Sequence, residues 1–558
     1  MCNTVLVSEL IDHTLRSGWT PSGAGAAPLP AHALRWLSAR LGLSGETTPA
    51  LPASLLDIPD GALPESARAE LADLVGERYV HTDGSARLGR AGGLSYSDLM
   101  RRRDGTGFAV PDAVVLPADP EQVQRLLEIC VRHDVAVVPF GGGTSVVGGV
   151  SALRGGKTAV IALDLARLDR LVSVDPVSRV AVLQAGVRAP EAESLLAAHG
   201  FTLGHFPQSF ERATIGGFAA TRSAGQASSG YGRFADLVEG VRVATPAGEW
   251  RLGTAPNSAA GPDLRQFAIG GEGAFGVLTE VALRVRPKPS ETRYEALVLD
   301  GWQAGAGAVR ALAQQRVLAD VTRLSDVDET AVQLELSGAT KARALRTLLR
   351  GRGISEPCML VLGWEAATGA ELKQRRAATF RALRGFRTFK LGARGGESWR
   401  ANRFAAPRQR DALLDVGVCV ETLETATHWS RLAELRSAVR AALIGALDGD
   451  GRTPIVMCHL SHAYETGASL YFTVLAARDS DDPIGQWQRA KKAATDAIAE
   501  RPPGGEIGRG TLTHHHAVGA DHLPWLESEV GPVGTAVLGA AKRAVDPTGI
   551  LNPGKLVD

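Results

Sequence analysis

The sequence has few cysteines, few aromatic residues and almost no net charge. Only five of its 558 residues are cysteine, and aromatic residues make up 5% of the chain. The cysteines form no CxxC pair and no metal-ligand spacing, which predicts neither a disulfide framework nor a structural zinc site. Because 61 basic side chains are balanced by 60 acidic ones, the chain lacks the basic excess of a nucleic-acid-binding protein, and no nucleic-acid partner is expected.

Long apolar runs are absent as well. No stretch reaches the length of about 18 uninterrupted apolar residues that a membrane-spanning helix requires. Residues 1–19 contain acidic side chains within their apolar part and predict no cleavable export signal. Together with the scattered cysteines, these absences predict a cytoplasmic protein. What the chain does have is length, because 558 residues exceed one hydrophobic core and predict two or three domains.

The pattern of apolar residues changes along the chain. The first hundred residues are predicted to be helical and rich in loops, with a small-residue linker at 22–30. Strands and helices then alternate to about residue 287, and a mixed region follows. One helix is well signalled, since Asp119 can cap it and Pro120 suits its first turn. Its apolar side chains recur at helical spacing, at Val123, Leu126, Leu127 and Cys130.

Two polar loops that contain glycine carry the strongest chemical signal. The first follows the apolar strand VAVVPF and consists of Gly141, Gly142, Gly143, Thr144 and Ser145. Backbone amides that no Cβ shields can converge on a pyrophosphate there, although a tight turn between strands is the alternative interpretation. The second loop contains Ser209, Thr214, Gly216, Gly217, Thr221 and Ser223. Two such loops favour a long, folded dinucleotide as the ligand.

A third glycine pattern does not indicate a nucleotide site of the Rossmann type. Gly271, Gly273 and Gly276 satisfy the GxGxxG spacing, but the residues that follow read VLTEVALRV and predict a strand. A Rossmann site needs a helix at that position to hold the phosphate. The sequence also has no GxxxxGK[ST] loop. NAD and ATP are therefore not expected as cofactors.

The central region resembles FAD-binding proteins of the vanillyl-alcohol-oxidase and p-cresol-methylhydroxylase (PCMH) type. The motifs that carry the resemblance are PDAVVLPADPEQV, VPFGGGTS, LDLARLDRLVSVDPVSRVAVLQAGV, TIGGFAAT and GEGAFGVLTEVALRVRP, with VDPTGILNPGKLV near the C-terminus. The resemblance implies an α+β fold, in which FAD lies extended between the two subdomains of a PCMH-type FAD-binding domain. An antiparallel-sheet cap domain would cover the flavin ring, and a helical N-terminal region would precede both.

The resemblance also implies which residues hold FAD. Those expected at the pyrophosphate are Pro139, Gly141, Gly142, Gly143, Thr144, Ser145, Pro207 and Ser209. Those expected along the flavin, ribityl and adenine parts are Thr214, Gly216, Gly217, Thr221, Glu272, Gly273, Gly276 and Val277. Relatives that attach the flavin covalently at the first loop use a histidine just after the glycines. Because this chain has Thr144 and Ser145 there, FAD is expected to bind non-covalently.

The same resemblance divides the chain into four parts. They are an N-terminal region (1–106), the FAD-binding domain (107–287), the cap or substrate-binding domain (288–505) and a C-terminal segment (506–558) that returns to the FAD-binding domain. The abundance of alanine, arginine and glycine indicates a bacterial source, and the C-terminal residues do not form an SKL-like peroxisomal address.

A closer resemblance, over almost the whole chain, is to the alkyldihydroxyacetonephosphate synthase family, which makes the ether bond of ether lipids. It is carried by RSGWTP, GGLSYSDLMRRRDG, GHFPQSFERATIGGFAATRSAGQASSGYGRFADLV, DVTRLSD, ETLETATHWSRL, YETGASLYFTV and THHHAVG. In that family acyl-dihydroxyacetone phosphate and a long-chain fatty alcohol give the alkyl product and a fatty acid, through an adduct at flavin N5 and without net redox change. The resemblance implies these acylated ketone-phosphate and alcohol substrates, an apolar tunnel, a homodimer and peripheral membrane contact.

Six residues stand where that family works on its substrate: Arg323, Arg431, Tyr471, His514, His515 and His516. A base with a pKa near neutrality must take a C–H proton from the acylated ketone phosphate, and His515 and His516 qualify as imidazoles. Arg323 and Arg431 would bind the phosphate and the departing carboxylate. Tyr471 would handle the proton of the entering alcohol.

Plainer interpretations exist for the same residues. A run of three histidines can be a solvated surface tract, Arg431 a helix-surface charge and Tyr471 an ordinary strand residue. A flavin-binding or lipid-binding protein without turnover would keep the glycine loops and lose the acid and base groups. This sequence keeps both, which favours an enzyme.

The alternative enzyme is an FAD-dependent D-2-hydroxy-acid dehydrogenase, in which histidines and a glutamate bind a divalent metal. In this chain His459 remains, Tyr471 replaces the second histidine and His515 replaces the glutamate. The loss of the carboxylate favours the synthase, and no metal ligand set is assigned. His459 and His462 leave two interpretations open, a histidine-bound metal and a modified substrate pocket.

Overall fold

The computed structural model describes residue 19 and residues 28–45, 47–449, 452–501 and 508–557. Most of the stretch for which no export signal is predicted, and most of the 22–30 linker, lie outside the described residues. Among the described residues, no helix is long and apolar enough to cross a membrane.

Helices occur throughout the described chain. They are α1 (Ala31–Leu41), α2 (Glu65–Val75), α3 (Gly84–Leu88), α4 (Tyr96–Asp104), α5 (Pro120–Arg132), α6 (Ala189–Ala197), α7 (Ile215–Ala220), α8 (Ser228–Tyr231), α9 (Phe234–Leu237), α10 (Leu264–Ala268), α11 (Trp302–Gln314), α12 (Val327–Ser337), α13 (Ala339–Gly351), α14 (Gly369–Ala382), α15 (Gly392–Asn402), α16 (Ala406–Asp415), α17 (Leu432–Leu447), α18 (Pro483–Ala499) and α19 (Leu526–Val545).

Strands also occur throughout the described chain. They are β1 (Val80–His81), β2 (Ala113–Val115), β3 (Val135–Phe140), β4 (Ala159–Asp164), β5 (Leu171–Asp175), β6 (Val180–Gln184), β7 (Phe201–Thr202), β8 (Val238–Thr245), β9 (Gly248–Leu252), β10 (Val277–Arg284), β11 (Arg286–Pro287), β12 (Glu291–Asp300), β13 (Val321–Ser325), β14 (Pro357–Ala366), β15 (Thr388–Leu391), β16 (Val418–His428), β17 (Ile455–Leu460) and β18 (Gly467–Ala477).

Two sheets form the FAD-binding part predicted from the sequence. The first has the order β1-β2-β4-β3, with β2, β4 and β3 parallel and β1 antiparallel at the edge. The second has the order β5-β6-β10-β8-β9 and is antiparallel throughout. Each sheet packs on its own apolar core, which makes two subdomains.

The third large sheet belongs to the cap. Its order is β15-β12-β14-β13-β17-β18-β16, and every pairing within it is antiparallel. Helices from the N-terminal region pack against it, since Leu37 and Leu41 of α1 and Leu99 of α4 share its core. The predicted fold class, α+β with a two-subdomain FAD-binding domain, an antiparallel cap and a helical N-terminal region, is confirmed.

Local sequence signals agree with the structure at α5 and at β10. Asp119 accepts a hydrogen bond from the backbone of Gln122 and caps α5, with Pro120 in the first turn. The apolar residues predicted for this helix are buried. After Gly276 the chain continues directly as β10, which agrees with the rejection of a Rossmann site.

The C-terminal segment connects the two halves of the molecule. Leu551 bridges to Val137 of β3, in the FAD-binding part. Thr511 bridges to Ala426 of β16, in the cap. Residues 512–519 therefore lie at the junction of both parts, where the cap faces the glycine loops.

Candidate active site

The first glycine loop leaves β3 at Phe140 and touches the second polar loop. A Cβ on Gly141 would lie 2.4 Å from Oγ1 of Thr214, and a Cβ on Gly142 would lie 2.3 Å from the carbonyl oxygen of Arg212. Both distances are too short for any side chain. Gly143 has a φ of +60°, which favours glycine for a second reason. Glycine therefore allows the two loops to approach each other closely.

The second loop is held by its own hydroxyl groups. Thr214 accepts a hydrogen bond from the backbone of Gly217 at 3.2 Å and caps α7. Thr221 at the other end donates to the carbonyl oxygen of Gly217 at 3.0 Å. A Cβ on Gly216 would meet Cβ of Ala185 at 2.6 Å, so this helix packs directly against the residue that follows β6. These contacts fix the loop in one conformation.

Glu272 joins the cofactor loops to the C-terminal segment. It has a φ of +50°, and its carboxylate accepts hydrogen bonds from the backbone of Val518 at 2.8 Å and of Gly519 at 2.7 Å. Burial raises the pKa of Glu272 to about 7, against the effect of these two donors. Asn552 donates to the carbonyl oxygen of Glu272 at 2.6 Å. The carboxylate thus orders a segment that begins two residues after the histidine triplet.

These loops open into one cavity with a volume of about 850 Å³. Of the residues predicted to hold the cofactor, the following line it: Pro139, Gly141, Gly142, Gly143, Thr144, Ser145, Pro207, Ser209, Thr214, Gly216, Gly217, Thr221, Glu272, Gly273 and Gly276. Val277 does not line it and is buried in the core of the first sheet, because it begins β10 and its side chain packs inward. One wall of the cavity consists of glycine backbone and of hydroxyl groups. Such a wall fits an extended dinucleotide such as FAD.

Tyr471 lies at the opposite wall, on β18, the second strand from one edge of the cap sheet. It is directly across from Glu424 on β16 and from His459 on β17. The rings of Tyr471 and His459 stack at 4.7 Å with an angle of 14°. Burial raises the pKa of Tyr471 to about 12, so its phenol keeps the proton at neutral pH. Tyr471 lines the cavity beside His515 and His516.

The histidine triplet is shaped by one carboxylate that sequence analysis did not identify. Glu424 accepts hydrogen bonds from the backbone of His514 at 2.7 Å, of His515 at 3.0 Å and of His516 at 2.9 Å. The hydroxyl of Thr513 donates to it at 2.6 Å. Its side chain is 0% exposed. A carboxylate with this many donors is held as the ionised acceptor, and it bends the loop so that consecutive imidazoles converge.

Burial shifts the pKa values of the three imidazoles and of the Glu424 carboxylate in opposite directions. It lowers the pKa of His514 and His516 to about 3 and also lowers the pKa of His515, although the negative charge of Glu424 opposes the change. Burial by itself would raise the pKa of Glu424, but the neighbouring imidazoles and Thr513 bring it below its ordinary value. The three rings are therefore neutral at physiological pH, and each keeps a nitrogen lone pair.

The three histidines differ in what their rings face. His515 and His516 line the cavity, and the ring of His516 meets that of Tyr471 edge-on at 5.5 Å and 85°. His514 does not line the cavity and hydrogen bonds through Nε2 to the hydroxyl of Tyr464 at 2.6 Å. In the described part of the chain, no side chain hydrogen bonds to the ring of His516. His516 is therefore open to a bound molecule.

Arg323 lines the cavity, but its charge is already compensated. Its guanidinium donates to Glu329 at 2.6 Å and to Ser325 at 2.6 Å, and it lies 2.9 Å from Nδ1 of His459. Burial would raise the pKa of Glu329, yet the charge of Arg323 and the contacts with Arg323 and His459 lower it well below its ordinary value. The ion pair restricts the guanidinium and leaves fewer of its N–H groups for a substrate anion. Sequence analysis did not identify Glu329.

Arg431 lies outside this cavity, contrary to the substrate role predicted for it. It forms the N-terminal boundary of α17, where its guanidinium donates to the carbonyl oxygen of Gly508 at 3.2 Å. Its surroundings form a separate, smaller pocket. β16 ends at His428, and Arg431 stands directly before the first residue of α17. Arg431 therefore makes a structural contact with the C-terminal segment, and the predicted role in substrate binding is withdrawn.

Arg403, which the sequence analysis missed, is better placed for a substrate anion. It lines the cavity, its guanidinium lies 4.9 Å from the ring centre of Phe206, and it donates to the hydroxyl of Tyr294 at 3.3 Å. Among the described residues no carboxylate forms an ion pair with it. Arg410, also at the cavity wall, is instead paired with Glu421 at 2.5 Å. No local motif marks Arg403, because its neighbours come from distant parts of the chain.

The far end of the cavity is apolar. It is formed where α1 of the N-terminal region packs with α12 and α16 of the cap. The apolar residues that line this end are Leu29, Trp36, Leu37, Val332, Leu336 and Leu413. One cavity thus combines a glycine-lined wall, a polar centre with Tyr471 and two imidazoles, and an apolar extension.

Removal of the Glu424 charge should destabilise the protein. In Glu424→Gln the new amide group would meet the backbone N–H of His514 as a second donor, and the charge-assisted bonds would be lost. We expect the free energy of unfolding to fall by about 3 kcal/mol, as measured by urea denaturation of the flavin-loaded protein. Glu434→Gln removes an exposed carboxylate that pairs with Arg509 and should change it by less than about 1 kcal/mol. Equal losses in both variants would contradict the anchoring role.

Both parts of the chain are similar to known proteins. Residues 111–253 match the family model of the FAD binding domain, and residues 288–556 match that of the C-terminal domain of FAD linked oxidases. An alkyldihydroxyacetonephosphate synthase from Trypanosoma brucei brucei is 30% identical over 502 residues, which cover 88% of this chain and 80% of that protein. One from Dictyostelium discoideum is 29% identical over 522 residues, with coverages of 92% and 84%.

The fold is likewise similar to that of a solved structure. An alkyldihydroxyacetonephosphate synthase superposes with a TM-score of 0.84 at 26% identity, and the match covers 98% of this chain and 100% of that one. The likeness therefore includes the N-terminal helices, both sheets of the FAD-binding part and the cap.

Proposed function

This chain belongs to the alkyldihydroxyacetonephosphate synthase family of FAD-linked enzymes, and we propose that it exchanges the acyl group of an acyl-dihydroxyacetone phosphate for a long-chain alcohol. The products would be an alkyl ether of dihydroxyacetone phosphate and a fatty acid. The bond from C1 to the acyl oxygen breaks and a bond from C1 to the alcohol oxygen forms, so the exchange involves no net oxidation or reduction.

One observation carries the proposal: a single cavity joins the glycine loops to the apolar space between α1, α12 and α16. A D-2-hydroxy acid would need only the polar centre. A fatty acid that leaves and a fatty alcohol that enters both need an apolar volume next to the reacting carbon. Trp36 and Leu37 supply part of that wall from outside the two catalytic domains.

The polar centre supplies the proton transfers that this exchange requires. Bound FAD would supply an electrophilic ring beside the reacting carbon. His516, whose ring faces the cavity, would take the proton from C1 of the ketone phosphate and later return it. Tyr471, 5.5 Å from that ring centre to centre, would give its own proton to the departing carboxylate and then accept the proton of the entering alcohol.

Cations of the cavity wall would hold the anionic groups. Arg403 has no carboxylate partner among the described residues and offers its guanidinium to the phosphate. Arg323, fixed by Glu329, would contribute a directed N–H donor at the polar centre. Positioning by such groups brings the alcohol oxygen and C1 together, which is a large part of the catalysis available to a transfer reaction.

A direct assay separates this function from oxidation of a hydroxy acid. The flavin-loaded protein would be incubated with an acyl-dihydroxyacetone phosphate and a radiolabelled long-chain alcohol, and separately with D-2-hydroxy acids and a dye acceptor. We expect labelled ether product and no dye reduction. Bleaching of the flavin by a hydroxy acid, without ether formation, would refute the proposal.

We also expect the flavin to be released intact when the protein is denatured. Thr144 and Ser145 occupy the loop position at which a covalent relative has a histidine, and neither side chain is a nucleophile of comparable strength. Acid precipitation should therefore leave a colourless pellet and a yellow supernatant that contains FAD. Colour that stays with the pellet would show a covalent bond.

A further inference from the structure

Three histidines converge behind the polar centre. His462 lies in the connection between β17 and β18, and His514 and His515 belong to the triplet. One nitrogen of each ring lies within 4.8 Å of the others. The rings of His462 and His514 stack at 5.0 Å, and His515 meets His462 edge-on at 5.4 Å. We propose that these three imidazoles bind one divalent transition metal ion of the zinc type.

The spacing of two nitrogens fits a shared metal. Nδ1 of His514 and Nδ1 of His515 are 3.0 Å apart. Two nitrogens bound to a tetrahedral zinc at their usual bond length lie about 3.3 Å apart, so little movement is needed. Nε2 of His514 is bonded to the hydroxyl of Tyr464. That bond directs the other nitrogen of the ring towards the cluster, as outer partners of metal-binding histidines commonly do.

His462 gives an independent observation. Its residue is 5% exposed, and its Nδ1 has no hydrogen-bond partner among the described residues. A buried imidazole nitrogen without a partner is costly, and a bound ion is a recognised reason for one. Ser469 donates from its backbone to the carbonyl oxygen of His462, which fixes the backbone but not the ring. A metal ion would satisfy the ring.

Glu424 supplies the charge that such an ion needs nearby. Its Oε2 lies 3.5 Å from Nδ1 of His515. Both of its oxygens already accept backbone hydrogen bonds, so we assign it as a negative charge beside the metal and not as a ligand. Three neutral nitrogen ligands favour zinc, cobalt, nickel or copper over magnesium and calcium, which prefer oxygen.

The site would leave a coordination position for a ligand from the cavity. His462 and His515 both line the cavity, and three protein ligands with one open position are typical of catalytic rather than structural zinc sites. His515 would then be occupied by the metal, which leaves His516 free for proton transfer. The site goes beyond the alkyl transfer proposed above, and metal binding can be measured without it.

The test uses tag-free, flavin-loaded protein that has been treated with a chelator. Zinc chloride is titrated by calorimetry, and bound zinc is counted by elemental analysis. Cobalt chloride gives a second readout, because cobalt in a tetrahedral or five-coordinate site absorbs beyond the flavin bands. We expect one zinc per chain. We also expect His462→Ala to weaken binding at least about 100-fold and Tyr464→Phe about 10-fold.

His428→Ala serves as the matched control, because this histidine is exposed at the end of β16 and is not one of the three ligands. It should leave zinc binding unchanged, and an unaltered flavin spectrum in every variant verifies the fold. His514→Ala provides a second ligand variant, should His462→Ala fail to fold. The proposal is overturned if the protein binds no stoichiometric zinc, or if zinc binds equally well to the ligand variants. Zinc binding in a protein without ether synthesis would refute only the proposed function.

Discussion

Tyr471→Phe should lower ether synthesis at least about 100-fold while the protein stays yellow. The substitution keeps the ring that stacks on His459 and removes only the hydroxyl. Loss of a general acid or base from a positioned site typically costs two to four orders of magnitude, and this phenol is the group placed to take the alcohol proton. The measurement is labelled ether product formed per bound flavin, with the flavin content taken from its visible absorbance.

Tyr231→Phe is the control for this experiment. Its hydroxyl donates to Glu365 at 2.5 Å, and the residue does not line the cavity. This variant also removes the hydroxyl group of a buried tyrosine, but its turnover should remain close to that of the unchanged protein. Full activity in Tyr471→Phe would exclude the phenol from proton transfer. Loss of flavin would instead assign Tyr471 to the stability of the site.

His516→Ala should lower ether synthesis by a similar factor, and unlike Tyr471→Phe it should also lower exchange of the C1 proton. The ring lines the cavity and meets Tyr471 edge-on, so its removal takes away a base next to the reacting carbon and opens space there. We expect turnover to fall about 100-fold or more. Exchange of the C1 proton of the ketone phosphate with deuterated solvent, which does not require the alcohol, should fall in parallel.

Solvent exchange identifies which step depends on His516. In Tyr471→Phe, C1 exchange should continue while ether formation stops, because the phenol is assigned to the later step. His428→Asn, which alters an exposed imidazole, should affect neither measurement. If His516→Ala retains normal C1 exchange, another group removes the proton and the assignment to His516 is wrong.

The cofactor side of the site could be predicted from sequence because its signals are local. Gly141, Gly142 and Gly143 follow a strand directly, and the close approach of the second loop requires residues without a Cβ. Hydroxyls such as Thr214 act on neighbours three residues away. A short stretch of sequence therefore contains both the geometry and the chemistry of each loop. Val277 is the exception among the predicted cofactor-binding residues. It is the first residue of β10, and its side chain is buried in the apolar core instead of lining the cavity.

The substrate side could be predicted only in part, because it depends on contacts between distant residues. Glu424 lies 90 residues before His514 in the chain, and Arg323 lies 136 residues before His459. Carboxylates within buried strands are unusual, and this was the available signal for Glu424. Nothing local distinguishes Arg403 from the other arginines of the cap, and Arg431 was misplaced because only the turn after β16 determines where its side chain goes.

The bridge from Glu272 to the backbone of Val518 and Gly519 makes the cofactor loop and the histidine loop one mechanical unit. Whatever orders one of them lowers the entropic cost of ordering the other, and this coupling is reciprocal. FAD binding would therefore preorganise the imidazoles before any substrate arrives. A chain that has lost its flavin would lose the alignment of its proton-transfer groups as well, even though none of those side chains has changed.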